Sequence, residues 1–187
     1  MNPVYEAALE IQRFCDEAQW RFCFIGGVAI QRWGEPRFTH DADLTLLTGF
    51  GQETRYIDRL LGHFEGRIPD PGGFALRSRV LLLTAANGIP IDISLGGLPF
   101  EERLVVERAS AWEAASEITL RTCGAEDLII LKAFAGRDGD WRDLDGVVAR
   151  QSGKLDTDLI FRELAPLLEL KEDAETEQRL RKLLLRT

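Results

Sequence analysis

The chain has 187 residues, 45% hydrophobic and 29% charged, which suits one domain, or a core with an appended subdomain, and excludes disordered, collagen-like and low-complexity proteins. Lysine and arginine number 23 against 31 acidic residues, a net charge of −8, so no broad basic surface exists to coat duplex DNA and any nucleic-acid contact has to be local. Cys15, Cys23 and Cys123 lack CxxC spacing and, with only His40 and His63 beside them, make a poor zinc set; they read as buried thiols in a reducing compartment. Glu6 and Glu10 stand where a secretory leader needs a basic and then an apolar run. No apolar stretch approaches the ~20 residues of a membrane span, so a cytoplasmic protein without membrane contact is expected.

In chain order, Val4, Ala7, Ala8, Ile11 and Phe14 form one stripe of a helix over 4–18. The apolar run 21–25 is a strand that ends at Gly26-Gly27 and leads into a short helix. A polar connector reaches a second strand at 41–47, whose polar end carries two aspartates, and helical spacing returns over 52–64. Asp70–Gly73 reads as a loop. Two strand-like runs flank Asn87-Gly88, a hairpin signal in which both central residues favour positive φ. Residues 100–116 read as a charged helix, 118–122 as one more strand, and 125–136, 140–151, 156–169 and 173–185 as helices. The expected architecture is an α/β (α+β) core over 1–100, with a small mixed sheet and flanking helices, followed by a mostly helical C-terminal subdomain over 101–187.

Four features carry chemistry. Paired glycines at a strand-to-helix turn let backbone N–H groups approach a phosphate, although Gly26-Gly27 taken alone is better read as a tight strand-to-helix turn with no ligand. Asp41 and Asp43 alternate along a strand, which sets both carboxylates on one face, about 6.5–7 Å apart at Cα. A divalent cation such as Mg²⁺ relieves the repulsion between them, as does exposure to water. Asp92 lies among Ile89, Pro90, Ile91 and Ile93, on a strand expected to run beside the Asp41–Asp43 strand, and there a carboxylate is costly unless paired or metal-bound, or else the strand is an alternating edge with Asp92 facing water. Lys132 is the only charge within the apolar run 128–135 and needs an anion, either an internal carboxylate (Asp143 or Asp127) or a ligand phosphate.

The series Ile25-Gly26-Gly27-Val28-Ala29, then Arg37, Thr39, Asp41, Asp43 and Leu44, resembles the signature of the DNA-polymerase-β-type nucleotidyltransferase superfamily, with Asp92 in the place of its third carboxylate. Glu126, Asp127, Lys132 and Arg137, followed by Arg142-Asp143-Leu144-Asp145, resemble the helical half of the AbiEii/MenT-like nucleotidyltransferase toxins of toxin–antitoxin systems. The resemblance covers roughly residues 20–150. It implies a Mg²⁺-dependent transferase with two metal ions held by Asp41, Asp43 and Asp92, with these three and Lys132 catalytic. Gly26, Gly27, Arg37, Thr39, Lys132, Arg137 and Asp143 would bind the nucleotide, and Asp143 would orient Lys132. The implied reaction moves NMP from an NTP to a hydroxyl acceptor, an RNA or tRNA 3′ end, by a toxin whose partner is a cognate antitoxin protein.

Other readings compete. Asp41–Leu46 also resembles the DxDxT start of haloacid-dehalogenase-type phosphatases, but the polar connector before Asp41 replaces the apolar strand those enzymes need. An antibiotic nucleotidyltransferase acting on an aminoglycoside or lincosamide shares the glycine pair and the DxD, and the acidic charge suits a cationic drug; Lys132, Arg137 and Asp143 favour the toxin-like group. A non-catalytic nucleotide-binding or partner-binding module would account for the charged helix 173–185, but the presence of all three carboxylates speaks against it.

Overall fold

Ala42, Leu44 and Leu46 alternate along the strand Ala42–Leu47 and are fully buried, which makes that strand (β2) the middle of a sheet covered on that face. The computed structural model describes residues 2–173 and 175–185. Among these residues the sheet has seven strands: β1 (Phe22–Phe24), β2, β3 (Glu65–Gly66), β4 (Val80–Thr84), β5 (Pro90–Gly96), β6 (Ser110–Ala115) and β7 (Ile118–Thr122). Their order is β3-β4-β5-β2-β1-β7-β6. β2 pairs in parallel with β5, and β1 in parallel with β7; the other pairs are antiparallel. The mixed α/β class expected from the sequence is the one found.

Nine helices accompany the sheet among the described residues: α1 (Pro3–Glu17), α2 (Gly26–Trp33), α3 (Glu53–Leu61), α4 (Pro71–Ser78), α5 (Pro99–Arg103, continued by a π-turn over Leu104–Arg108), α6 (Ala125–Ala135), α7 (Asp138–Arg150), α8 (Thr157–Lys171) and α9 (Glu175–Leu184). The chain forms two compact units. The first takes the residues up to Val28 and Phe38–Cys123; the second takes Ala29–Arg37 and the chain from Gly124 onward. The first contains the whole sheet. Its core joins Ala7, Ala8 and Ile11 of α1 with Phe22, Phe24, Leu44, Leu46, Leu81, Leu83, Ile91 and Ile93 of the strands and Ile57 and Leu60 of α3. The second packs Leu128, Ile129, Ile130 and Ala133 of α6 with Leu144, Val147, Ile160, Leu164 and Leu180, all buried. The three cysteines are free and buried, and burial, helped by the Asp16 charge, pushes the Cys15 thiol up to about 12.

Three local expectations are corrected. Asp70–Gly73 is a helix start rather than a loop: the Asp70 carboxylate accepts from the Gly73 N–H at 2.9 Å with Pro71 behind it, the N-cap arrangement that stabilises a first turn. At Asn87-Gly88 only Gly88 takes positive φ, at +82°. The Gly88 N–H donates to Ala85 O at 2.9 Å, so one left-handed residue completes a longer turn instead of two forming a tight one. The charged helix expected over 100–116 ends at Arg108, and Ser110–Ala115 is an edge strand paired with β7. Trp112 decides it by packing edge-on against Tyr5, with ring centroids 6.0 Å apart, a tertiary contact that outweighs the local helical pattern. Leu44→Ala should lower stability by about 2–5 kcal/mol, read as a lower urea midpoint at unchanged slope; an unmoved midpoint would mean the strand is not packed as described.

Candidate active site

The parallel register of β2 and β5 sets Asp43 directly opposite Asp92, and Asp41 stands just before β2. One carboxylate oxygen from each of Asp41, Asp43 and Asp92 lies within 4.8 Å of the others, and all three residues are half-buried. Like charges this close repel by several kcal/mol at an intermediate effective dielectric, so the cluster calls for a cation. The protein supplies one: Arg67 Nη2 lies 2.6 Å from Asp92 Oδ1. Both side chains are about one-third exposed, at 32% and 29%, so the pair is weak in stability terms. The donor set is all carboxylate oxygen with no sulfur or nitrogen, the chemistry that suits Mg²⁺ rather than a softer ion.

The glycine pair is tied to this cluster by packing. Gly26 adopts φ +52°, and a Cβ there would fall 2.1 Å from Asp43 Oδ2; a Cβ on Gly27 would fall 2.1 Å from Thr39 Oγ1. Any side chain at either position must displace a neighbour. The Gly27 N–H, at the start of α2, points to Asp43 Oδ2 at 3.4 Å, so backbone and carboxylate share one space. Buried Thr39 approaches Asp41 Oδ1 at 3.2 Å and steadies the first aspartate.

The second unit carries an ion network. Lys132 Nζ donates to Asp140 Oδ1 at 2.7 Å and sits 2.8 Å from Asp143 Oδ2, with its side chain only 13% exposed. Arg37 grips Asp143 with two hydrogen bonds, Nε to Oδ1 at 2.7 Å and Nη2 to Oδ2 at 2.9 Å. Asp140 Oδ2 also accepts from the Arg137 N–H at 3.2 Å, capping α7. Two cations and two carboxylates therefore balance. Burial pushes the Asp143 carboxyl up, but hydrogen bonds and charge from Arg37 and Lys132 outweigh it and hold it below the usual carboxylate range. A cavity of about 460 Å³ lined by Glu35, Pro36, Arg37, Arg142 and Asp143 opens beside this pair.

Asp41, Asp43, Asp92, Gly26, Gly27 and Thr39 thus gather in the first unit, and Lys132, Arg37 and Asp143 in the second. The Arg137 side chain is exposed, and only its backbone joins the network. Sequence reasoning left the carboxylate facing Lys132 open between Asp143 and Asp127; Asp143 is one partner and Asp140 is the other. Asp140 was legible in principle, because a helix, a glycine at φ +68° (Gly136) and a second helix return its first turn to the end of α6. Arg67 gave no signal.

Residues 13–180 match the family described as nucleotidyl transferase AbiEii toxin, type IV toxin–antitoxin system. Among solved structures, an antigenic nucleotidyltransferase-like protein from Paracoccidioides brasiliensis is similar with TM-score 0.54 and 14% identity, covering 96% of this chain and 93% of that one. The lincosamide antibiotic adenylyltransferase LnuA, in a lincomycin-bound crystal structure, is similar with TM-score 0.52 and 11% identity over 76% of this chain and 94% of its own. At such identities the likeness is one of fold. No curated protein matches the chain in sequence.

Two outcomes follow from the geometry. Gly26→Ala, strained at its φ and pressed on Asp43, should fold less stably and lose at least half of any Mg²⁺-dependent rise in melting temperature; a full rise would separate the glycine from the cluster. Because the Asp143 pKa is lowered on folding, its ion pairs stabilise the protein above the unfolded carboxylate value of about 3.9. That stability is lost as pH falls through the folded value. The stability gap between the protein and Asp143→Asn should therefore be open at neutral pH and close in acid, as followed by thermal melts; a pH-independent gap would contradict the pairing.

Proposed function

Because the chain belongs to the AbiEii family of nucleotidyl transferase toxins from type IV toxin–antitoxin systems, we propose that it transfers NMP from an NTP to a terminal hydroxyl of RNA, with a tRNA 3′ end as acceptor. The observation that carries this reading is the convergence of Asp41, Asp43 and Asp92 beside the Gly26-Gly27 turn. These three carboxylates would hold Mg²⁺, which supplies charge neutralisation on the triphosphate and polarises the reacting oxygens. Gly26 and Gly27 would offer the phosphates backbone N–H groups at the start of α2, in the space the Gly27 N–H shares with the Asp43 carboxylate. Asp92 receives the proton of the acceptor hydroxyl; the hydroxyl oxygen bonds to the α-phosphorus while the bond to pyrophosphate breaks. Arg67 fixes Asp92 Oδ1 and so orients the carboxylate for that proton. Thr39 restrains Asp41.

Lys132 and Arg37 are assigned to nucleotide phosphate, with Asp143 and Asp140 holding Lys132 extended until a phosphate shares its charge. Arg137 belongs to the same assignment through its exposed side chain. The net charge of −8 supports engagement of an RNA end rather than a long duplex. An antitoxin protein is the partner that the family suggests.

Incubating the protein with each labelled NTP, total RNA, an aminoglycoside and a lincosamide tests this directly. Label should enter RNA, only with Mg²⁺ present, and not enter it with Asp43→Asn; label on a drug with RNA untouched would replace the reading with antibiotic modification. Lys132→Met should weaken NTP binding at least tenfold, about 1.4 kcal/mol or more, while melting stays cooperative. Unchanged NTP binding would make Lys132 purely structural.

A further inference from the structure

The first unit carries a second charged cavity that the transfer reaction does not use. Its volume is about 510 Å³, and Arg21, Arg55 and Arg59 line it together with Trp20 and Tyr56. It lies at the end of the sheet opposite the carboxylates. Arg21 precedes β1 and its carbonyl accepts from the Leu47 N–H at 2.9 Å, whereas Asp43 is near the other end of β2, roughly 13 Å away along the strand.

The three guanidinium groups are exposed, and among the described residues none forms an ion pair, in a chain with 31 acidic residues against 23 basic ones. Rings, not carboxylates, hold two of them. Arg55 lies 4.7 Å over the Tyr56 ring and donates to the Tyr56 hydroxyl at 2.8 Å; Arg59 lies 5.4 Å over Trp20. Trp20 and Tyr56 pack on each other at 4.7 Å, so the platform is rigid. A guanidinium held by its face keeps most of its N–H edge for a planar or tetrahedral oxyanion, Arg55 spending only one N–H of Nη2 on the Tyr56 hydroxyl, and that edge matches phosphate with paired hydrogen bonds.

We propose that this cavity is a phosphate-binding site for the backbone of a single-stranded RNA, separate from the carboxylate cluster and independent of which acceptor receives NMP. Three unneutralised arginines in one pocket suit a ligand bearing several charges, and the cavity admits about one nucleotide of a strand but not a duplex. Guanidinium groups beside aromatic rings are the combination that binds single strands without sequence preference.

The test is fluorescence anisotropy of a labelled 12-nucleotide RNA in EDTA, which silences any metal-dependent nucleotide binding at the carboxylates. Arg21→Gln/Arg55→Gln/Arg59→Gln should bind at least tenfold more weakly, and its log–log salt slope should fall by about 2, near 0.7 for each lost phosphate contact. Arg77→Gln, which removes one exposed charge elsewhere, should bind like the unaltered protein. The triple Arg→Lys variant guards against misfolding of the first: it keeps the charge, loses the fork, and should bind several-fold more weakly while melting normally. Inorganic pyrophosphate and ADP are titrated in parallel; if these, and not the RNA, depend on the three arginines, the site stands and its source of phosphate is a free nucleotide. Equal RNA binding by all variants, the same loss with Arg77→Gln, or tighter binding of polyglutamate than of RNA would overturn the proposal, the last in favour of an acidic protein partner.

Discussion

Mutual repulsion among Asp41, Asp43 and Asp92 is the constraint against which much of the first unit is arranged. A parallel β2–β5 pair requires a crossover, and the chain from Thr48 to Ile89 supplies it through α3, β3, α4 and β4. The result sets Asp43 level with Asp92 in adjacent strands, a placement that costs free energy with no cation present. Arg67 offsets part of that cost from beyond β3. Gly26 and Gly27 lack side chains because Asp43 and Thr39 occupy the space that side chains would need. The crowded carboxylates are unfavourable for folding alone, and they gather with the left-handed Gly26 at one place in the first unit.

The second unit solves its electrostatic problem internally. Lys132 enters an otherwise apolar helix and meets Asp140 and Asp143, and Arg37 completes the neutral set. Burial raises the cost of ionising Asp143, yet the two cations keep it charged. Breaking one arm of such a network leaves a buried charge uncompensated, which is more damaging than the pair is stabilising. A ligand phosphate that drew on Lys132 alone would leave Asp143 still held by both hydrogen bonds from Arg37.

The readable parts of the sequence were those where residue type alone limits the options. A glycine pair after an apolar strand, two alternating aspartates and an aspartate between isoleucines announce unusual local demands, and the structure brings all of these residues into one cluster. Lys132 was legible for the same reason, but its partners were not settled: Asp127 is five residues earlier on the same helix, about 140° around it, and so faces elsewhere. Arg67 pairs with Asp92 across 25 residues with no periodic pattern to announce it. The strand Ser110–Ala115 was hidden because its edge position leaves none of it fully buried, so alternation is faint and the charges resemble a helix surface. The helix from Pro71 was hidden by two glycines in its first turn, although Asp70-Pro71 is itself a start signal.

The central claim is that the three aspartates form one divalent-metal site. Electron paramagnetic resonance of Mn²⁺ titrated into the protein measures bound ion directly, without reference to any acceptor. The account predicts saturable binding that is lost in both Asp41→Asn and Asp92→Asn while each variant still melts cooperatively; Mn²⁺ binding that survives undiminished in either would contradict it.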